Sequence, residues 1–289
     1  MKNVEVFLVN AFTANETGGN PAGVVLHADN LSNEEKLKIA QAVGYAETAF
    51  VAEDDRADFA LSFFTVTSEV DFCGHATLAA FSTMYREGVV AEGEYVQRTK
   101  AGLLAVTVGA NGHVVIAQKL PECLGVFEYE AVSGLIGVEA ASLASTQLPV
   151  EVISTGLPDM IVPVPQGYLD RLQVNERLLS NFCKDHGLVS LHAFELCEES
   201  GSVTASCRNF APLFGIPEES ATGSASGALA CYLSRHLNGG RSGCFTFEQG
   251  RAMNCTSVIS ASVDYDGSDV ARVRVGGFAK EIGKQIISL

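Results

Sequence analysis

The chain has 289 residues, a formal net charge of −15 and an apolar fraction of 47%. The length allows one large domain or two of ordinary size, and the apolar fraction is typical of a globular protein. We expect no nucleic-acid partner, because the sequence contains no basic run that could neutralise a phosphate backbone. We expect no membrane association either, since no apolar run approaches the length of a membrane span.

The cysteine and histidine patterns predict neither disulfides nor a metal site. The eight cysteines include no C-x-x-C pair, and the six histidines form neither H-x-x-x-H nor H-E-x-x-H. The opening MKNVEVFLVNAF lacks the apolar segment of a signal peptide. Free thiols in a reducing cytoplasm, with no bound metal, are therefore the expectation.

The predicted elements of the first half begin with a strand, NVEVFLVNAF. A helix follows in SNEEKLKIAQAVG, because Ser32 and Glu35 have the spacing of a capping box and Gly44 closes the pattern. Further strands are predicted in ADFALSFFTV and in LLAVTVGANGHVVIAQ, where Asn111-Gly112 indicates a hairpin.

The second half continues the mixture. VNERLLSNFCKDHG predicts a helix that ends at Gly187, and CFTFEQG predicts a strand. DYDGSD then predicts a turn before the strand DVARVRVGGFA. This irregular order favours an α+β fold with mainly antiparallel pairing over the βαβ alternation of a doubly wound sheet.

Two helix starts share one design. DFCGHATLAAFSTMY and ESATGSASGALACYL align when residues 73–76 are set over residues 222–225, and an apolar helix follows each. This match predicts an internal duplication and two similar domains, although so short a match also arises by chance. The expected boundary lies near Pro121–Gly125, with residues 1–120, completed by 278–289, in one domain and 121–277 in the other.

The small residues at these helix starts favour anion binding. A helix N-terminus offers unpaired backbone N–H groups and a partial positive charge. Gly74 and Gly223 allow a small anion, most naturally a carboxylate, to approach those groups. The alternative is plain capping, because Ser and Thr are preferred N-cap residues in any helix.

Several residues near the helix starts could move protons. Glu47 precedes an apolar strand, where burial would raise its pKa toward neutrality, although such a residue is often only a solvated boundary. His75 and Glu219 are further donors or acceptors. Cys73 could be a thiolate stabilised by the helix dipole or a buried small apolar residue, and the residues alone favour the second.

The motifs GNPAGVVL, ETAFV, FFTVTSEVDFCGHATLA, TGLPDMIVPV, ATGSASGALACYL, EQGRAM and VRVGGFA occur in this order along nearly the whole chain. In this the sequence resembles the phenazine-biosynthesis PhzF-like family, which is similar to diaminopimelate epimerase in fold. The resemblance implies two pseudo-symmetric domains, each a barrel-like sheet around a central helix. It also implies an active site in the cleft between the domains, and a homodimer.

The resemblance also implies roles for individual residues. Glu47 matches the family's acid/base, which removes a proton from one carbon and returns it to another. His75 and Glu219 match further catalytic positions. The implied activity is a cofactor-free isomerase for a small anionic metabolite, and cyclic or unsaturated carboxylates are the expected substrate class. The expected substrate-binding residues are Cys73, Gly74, Thr222, Gly223 and Ser224.

The sequence departs from the family's pattern at several points. Glu219 replaces an expected aspartate and Ser220 replaces a proline. In the MGRPS pattern that often follows the QG motif of the family, the expected arginine is replaced by Cys255. The substrate therefore does not follow from the resemblance. Two other functions stay open: an epimerase or racemase that uses Cys73, and a non-catalytic small-molecule-binding protein. Related two-cysteine racemases place a thiol at both helix starts, whereas the second start here carries Thr222.

Overall fold

The computed structural model describes residues 2–198 and 201–289. The helices are α1 Asn33–Val43, α2 Gly74–Arg86, α3 Tyr129–Ile136, α4 Ala140–Ala144, α5 Glu176–His186 and α6 Gly223–His236. The strands are β1 Asn3–Ala11, β2 Asn20–Val25, β3 Glu47–Ala52, β4 Phe59–Phe64, β5 Glu69–Val70, β6 Gly93–Thr99, β7 Gly102–Val108, β8 Val114–Gln118, β9 Glu122–Phe127, β10 Val150–Ser154, β11 Pro158–Pro163, β12 Ser190–Leu196, β13 Ala205–Ala211, β14 Ile216–Glu219, β15 Gly243–Gln249, β16 Ser257–Asp266, β17 Asp269–Gly277 and β18 Ala279–Ser288.

The chain divides into two compact units. The first comprises Met1–Ala117 and Gly276–Leu289, and the second comprises Gln118–Val275. The observed mixture of strands and helices confirms the predicted α+β class. In the described part of the chain, no helix is long and apolar enough to cross a membrane.

In the first unit a mixed sheet surrounds α2. The strand order is β18-β1-β2-β3-β4-β6-β7-β8, with β2/β3 and β4/β6 parallel and the other neighbours antiparallel. Helix α2 contacts strands from both ends of this order, including β18 and β7, so the sheet curves around it. Nine of the thirteen α2 residues are buried, which explains why its sequence is apolar on more than one face.

The second unit repeats this plan around α6. Its strand order is β9-β10-β11-β12-β13-β15-β16, with β11/β12 and β13/β15 parallel. Helix α6 contacts β10, β11, β15 and β16, and eleven of its fourteen residues are buried. A separate apolar core packs α3 and α5 against β10, β11 and β12.

Local sequence signals explain helices α1 and α5. Ser32 accepts from the Glu35 backbone N–H while the Glu35 carboxylate accepts from the Ser32 N–H, so the predicted capping box is present. Gly44 and Gly187 end α1 and α5 in the left-handed conformation, as predicted. Helices α3 and α4 were not predicted; they are short and begin without a side-chain cap within the described residues.

Candidate active site

In the first unit the candidate site is built at the start of α2. Cys73 is the N-cap residue, with an extended backbone, and Gly74 is the first helical residue. A Cβ atom at Gly74 would project into open space. An anion site at a helix N-terminus requires that the first-turn N–H groups can be approached closely, and a residue without a side chain suits this requirement.

Glu47 lies beside this helix start. It is the first residue of β3, where it pairs with Ala22 of β2, and its Oε2 atom lies 3.3 Å from Nε2 of His75. The His75 side chain is 6% exposed and that of Glu47 is 17% exposed. Burial raises the pKa of Glu47 to about 7, because the ionised carboxylate loses most of its hydration. A carboxyl group of this pKa can both accept and return a proton near neutral pH.

The other ring nitrogen of His75 fixes the tautomer. Asn20 Nδ2 lies 3.5 Å from His75 Nδ1, and Cys73 Sγ lies 3.4 Å from the same nitrogen. Because an amide N–H can only donate, Nδ1 is the acceptor and Nε2 carries the hydrogen that points to Glu47. Asn20 was not predicted as a site residue, although the GNPAGVVL motif that contains it was available as a signal.

The donor atoms of Glu47, Cys73 and His75 all lie within 4.8 Å of one another. A carboxylate, a thiolate and an imidazole at such separations could hold a metal ion, and a borderline-soft ion such as Zn²⁺ suits this donor set. The histidine and cysteine spacing in the sequence did not reveal this group, since Glu47 is distant from the other two residues along the chain. The expected absence of a metal stays a prediction.

In the second unit the start of α6 is held by a hydrogen-bonded cluster. Thr222 is the N-cap residue, and its hydroxyl donates to Glu219 Oε2 at 2.5 Å. The buried Gln249 amide donates to Thr222 Oγ1 at 3.0 Å and to the Glu219 carbonyl at 2.7 Å. Ser224 follows the first helical residue, Gly223, and its carbonyl accepts from Thr155 Oγ1 at 3.1 Å. Gln249 was not predicted, although it belongs to the EQGRAM motif.

The two helix starts have matching local geometry. The hydroxyl of Thr77 donates to the Cys73 carbonyl at 2.8 Å, and the hydroxyl of Ser226 donates to the Thr222 carbonyl at the same distance. Within the described residues, neither N-cap side chain accepts a hydrogen bond from the first turn of its helix. Plain capping therefore does not account for the residues at these two positions.

The raised pKa of Glu47 has a consequence for stability. A carboxyl group whose pKa is higher in the folded than in the unfolded chain destabilises the fold as pH rises between the two values. Replacing Glu47 by Gln removes this cost. The free energy of unfolding of the variant, measured relative to that of the wild type, should therefore be about 2 kcal/mol higher at about pH 8 than at about pH 5.5. Urea denaturation at the two pH values measures the gain. A constant difference would show that Glu47 ionises normally.

A model of the family described as phenazine biosynthesis-like protein matches residues 9–283. The chain belongs to this family. The predicted resemblance to PhzF-like proteins is thereby confirmed. An uncharacterized isomerase of Clostridium acetobutylicum is 30% identical over 301 residues, covering 100% of this chain and 99% of that protein.

Solved structures agree with this assignment. The PhzF-family phenazine biosynthesis protein of Bacillus anthracis superposes with a TM-score of 0.91 at 28% identity and covers 100% of both chains. A hydroxyproline epimerase of Agrobacterium vitis shares the fold alone, with a TM-score of 0.60 at 12% identity over 99% of this chain and 93% of that one. These relatives confirm the predicted fold class and the predicted enzyme class, an isomerase of the PhzF-like type.

Proposed function

We propose that this PhzF-like protein is a cofactor-independent isomerase that moves a proton within a small carboxylated metabolite, cyclic or unsaturated, with Glu47 as the acid/base. The observation that carries the proposal is the desolvated Glu47 carboxyl group, whose pKa is raised to about 7 and which lies 3.3 Å from His75. Nearby polar groups orient the Glu47 side chain, so Glu47 is more than a solvent-exposed residue at the beginning of a strand.

The proposed reaction is a proton shift between two carbons of an unsaturated acid. The Glu47 carboxylate removes a proton from a carbon next to the double bond, and the C–H electron pair forms a new carbon–carbon double bond. The electrons of the old double bond take the proton from Glu47 at the distal carbon. The carboxylate is regenerated, and neither an oxidant nor a second base is consumed.

The Nε2–H of His75 supports this chemistry by hydrogen bonding to Glu47. The other ring nitrogen, Nδ1, accepts a hydrogen bond from the Asn20 amide, and this keeps the ring hydrogen on Nε2, from which it is donated to Glu47. The first-turn N–H groups of α2 lie beside Glu47 and His75. They suit the carboxylate of a substrate, or negative charge that develops on that carboxylate during the reaction. In its own unit, the α6 start offers Ser224 and the N–H groups behind Gly223 as a second group of anion donors.

An epimerase that uses Cys73 is the second candidate, and one observation favours it. The Cys73 thiol lies 3.4 Å from His75 Nδ1, so it shares a cluster with the proposed acid/base. A two-base enzyme needs a second group of suitable pKa, and the matching position in the α6 start is Thr222, whose hydroxyl donates to Glu219. Full turnover by a Cys73→Ser variant would exclude the epimerase.

The proposed function can be tested before the substrate is identified. Small carboxylates are first screened by thermal shift, because a compound that binds the native state raises its apparent stability. Each compound that binds is then incubated in deuterated water and followed by NMR. We expect a positional isomer with deuterium at the new C–H position, and kcat/KM that rises with pH through about 7 as Glu47 ionises. A rate that falls through this range would contradict Glu47 as the base.

A further inference from the structure

Three metal-ligating side chains converge at the start of α2, and their spacing is close to that of a zinc site. His75 Nε2 lies 3.3 Å from Glu47 Oε2 and 3.9 Å from Cys73 Sγ. A tetrahedral zinc ion, about 2.0 Å from nitrogen and oxygen and about 2.3 Å from sulfur, would hold the nitrogen about 3.3 Å from the oxygen and about 3.5 Å from the sulfur. Small side-chain rotations therefore bring the three donor atoms, which lie within 4.8 Å of one another, onto one ion.

The charges of these groups suit a divalent ion. A carboxylate, a thiolate and a neutral imidazole together carry two negative charges, which Zn²⁺ cancels. Cancellation matters because Cys73 is 9% exposed and the side chains of His75 and Glu47 are 6% and 17% exposed, so a remaining charge would be poorly hydrated. The thiolate and the imidazole also select zinc over magnesium or calcium, which prefer oxygen ligands.

Zinc binding and hydrogen bonding to Glu47 require opposite tautomers of His75. When His75 donates to Glu47, Nε2 carries the ring hydrogen and Nδ1 accepts from the Asn20 amide at 3.5 Å. Zinc at Nε2 moves that hydrogen to Nδ1, where it needs an acceptor. Asn20 provides the acceptor when its amide turns to present its oxygen instead of its nitrogen. Zinc-bound histidines commonly have such an acceptor at the other ring nitrogen.

We propose that Glu47, Cys73 and His75 bind Zn²⁺ and that the bound ion blocks the acid/base chemistry of Glu47. The zinc site stands on the three side chains, and only its inhibitory effect rests on the proposed function. The Cys73 thiol loses its proton to solvent as the Zn–S bond forms. Zinc then holds the Glu47 carboxylate that would accept a substrate proton, and it replaces the Nε2 hydrogen of His75. The ion is an inhibitor of this site and not a cofactor.

Cobalt titration tests the site without a substrate, because Co²⁺ adopts the geometries of zinc and a cobalt–thiolate bond absorbs in the near ultraviolet. We expect the wild type to bind about one equivalent of Co²⁺ with this absorption, and Zn²⁺ to displace it. Cys73→Ser should lose the absorption and at least about a hundredfold in zinc affinity. Cys244→Ser is the control, since Cys244 is exposed and lies outside the cluster. An absorption that survives Cys73→Ser would overturn the proposal.

Two further variants test the other groups of the site. Glu47→Gln removes a charged ligand and should weaken zinc binding by at least about tenfold, so it decides the question if Cys73→Ser does not fold. Asn20→Asp should instead raise zinc affinity by about tenfold, because a carboxylate only accepts and keeps the ring hydrogen on Nδ1. A structural defect alone would not increase affinity. Unchanged zinc binding in Glu47→Gln, or weaker zinc binding in folded Asn20→Asp, would refute coordination through these groups.

Inhibition is measured on a carboxylate that the wild type exchanges with deuterated water. About one equivalent of Zn²⁺ should slow this exchange by at least about tenfold, and a chelator should restore it, whereas Mg²⁺ at the same concentration should have no effect. Full exchange by the zinc-bound protein would refute the inhibitory role. If no carboxylate exchanges, the proposed function fails while the cobalt titration still decides the zinc site. If exchange proceeds and the cobalt absorption is missing, the zinc proposal fails alone.

Discussion

Replacing Glu47 by Gln is expected to lower kcat by at least about a thousandfold, since the variant loses the group that carries the proton. The substitution keeps the shape of the side chain and its ability to hydrogen bond to His75. Folding and binding of small carboxylates should therefore survive, while deuterium incorporation from solvent is lost. Activity assays and NMR in deuterated water measure these effects on the same samples.

Glu53→Gln is the matched control, because Glu53 is exposed and directly follows the same strand, β3. It carries the same change of charge without touching the His75 cluster, so its turnover should equal that of the wild type. Normal turnover by Glu47→Gln on a verified substrate would remove Glu47 from the mechanism. Loss of activity in both variants would point to net charge instead.

Replacing Gly250 by Ala is expected to cost at least about 3 kcal/mol of folding free energy, through backbone strain and steric overlap together. Gly250 has φ +83°, and a Cβ atom there would lie 2.5 Å from the Cys255 carbonyl oxygen and 2.8 Å from that of Ser220. These are backbone atoms that cannot move aside. Since Ser220 directly follows Glu219, the variant should also disturb the α6 start and lose activity.

Gly215→Ala separates the two causes. Gly215 has a similar φ of +76°, but a Cβ atom there would meet nothing within 4 Å. Its replacement should therefore cost only the strain, about 1 kcal/mol. Urea denaturation of both variants measures the difference. Equal losses of stability would show that the loop around Gly250 relaxes without cost.

Helix boundaries and the two special helix starts were accessible from the sequence. Ser32, Glu35 and Gly44 define α1 through contacts within a few residues, which a linear reading can recognise. The small residues at 73–76 and 222–225 likewise indicated helix starts open to an anion. Helices α3 and α4 were missed because packing, more than local propensity, stabilises short helices.

The electrostatics of the site could not be predicted in the same way. The sequence suggested that Glu47 would be desolvated, but only the fold places it 3.3 Å from His75. Asn20 reaches His75 across 55 positions of the chain, and Gln249 reaches Thr222 across 27. Such pairs depend on strand order and register, which local patterns do not specify.

The sequence by itself therefore determined the α+β class, the family and the two helix starts, because each depends on residue types at short spacing. Tertiary structure alone decided which polar groups share a buried environment. It raised the pKa of Glu47 and oriented His75 through Asn20. The reason is physical: hydration is lost, and distant polar groups meet, only when the strands have packed around their central helices.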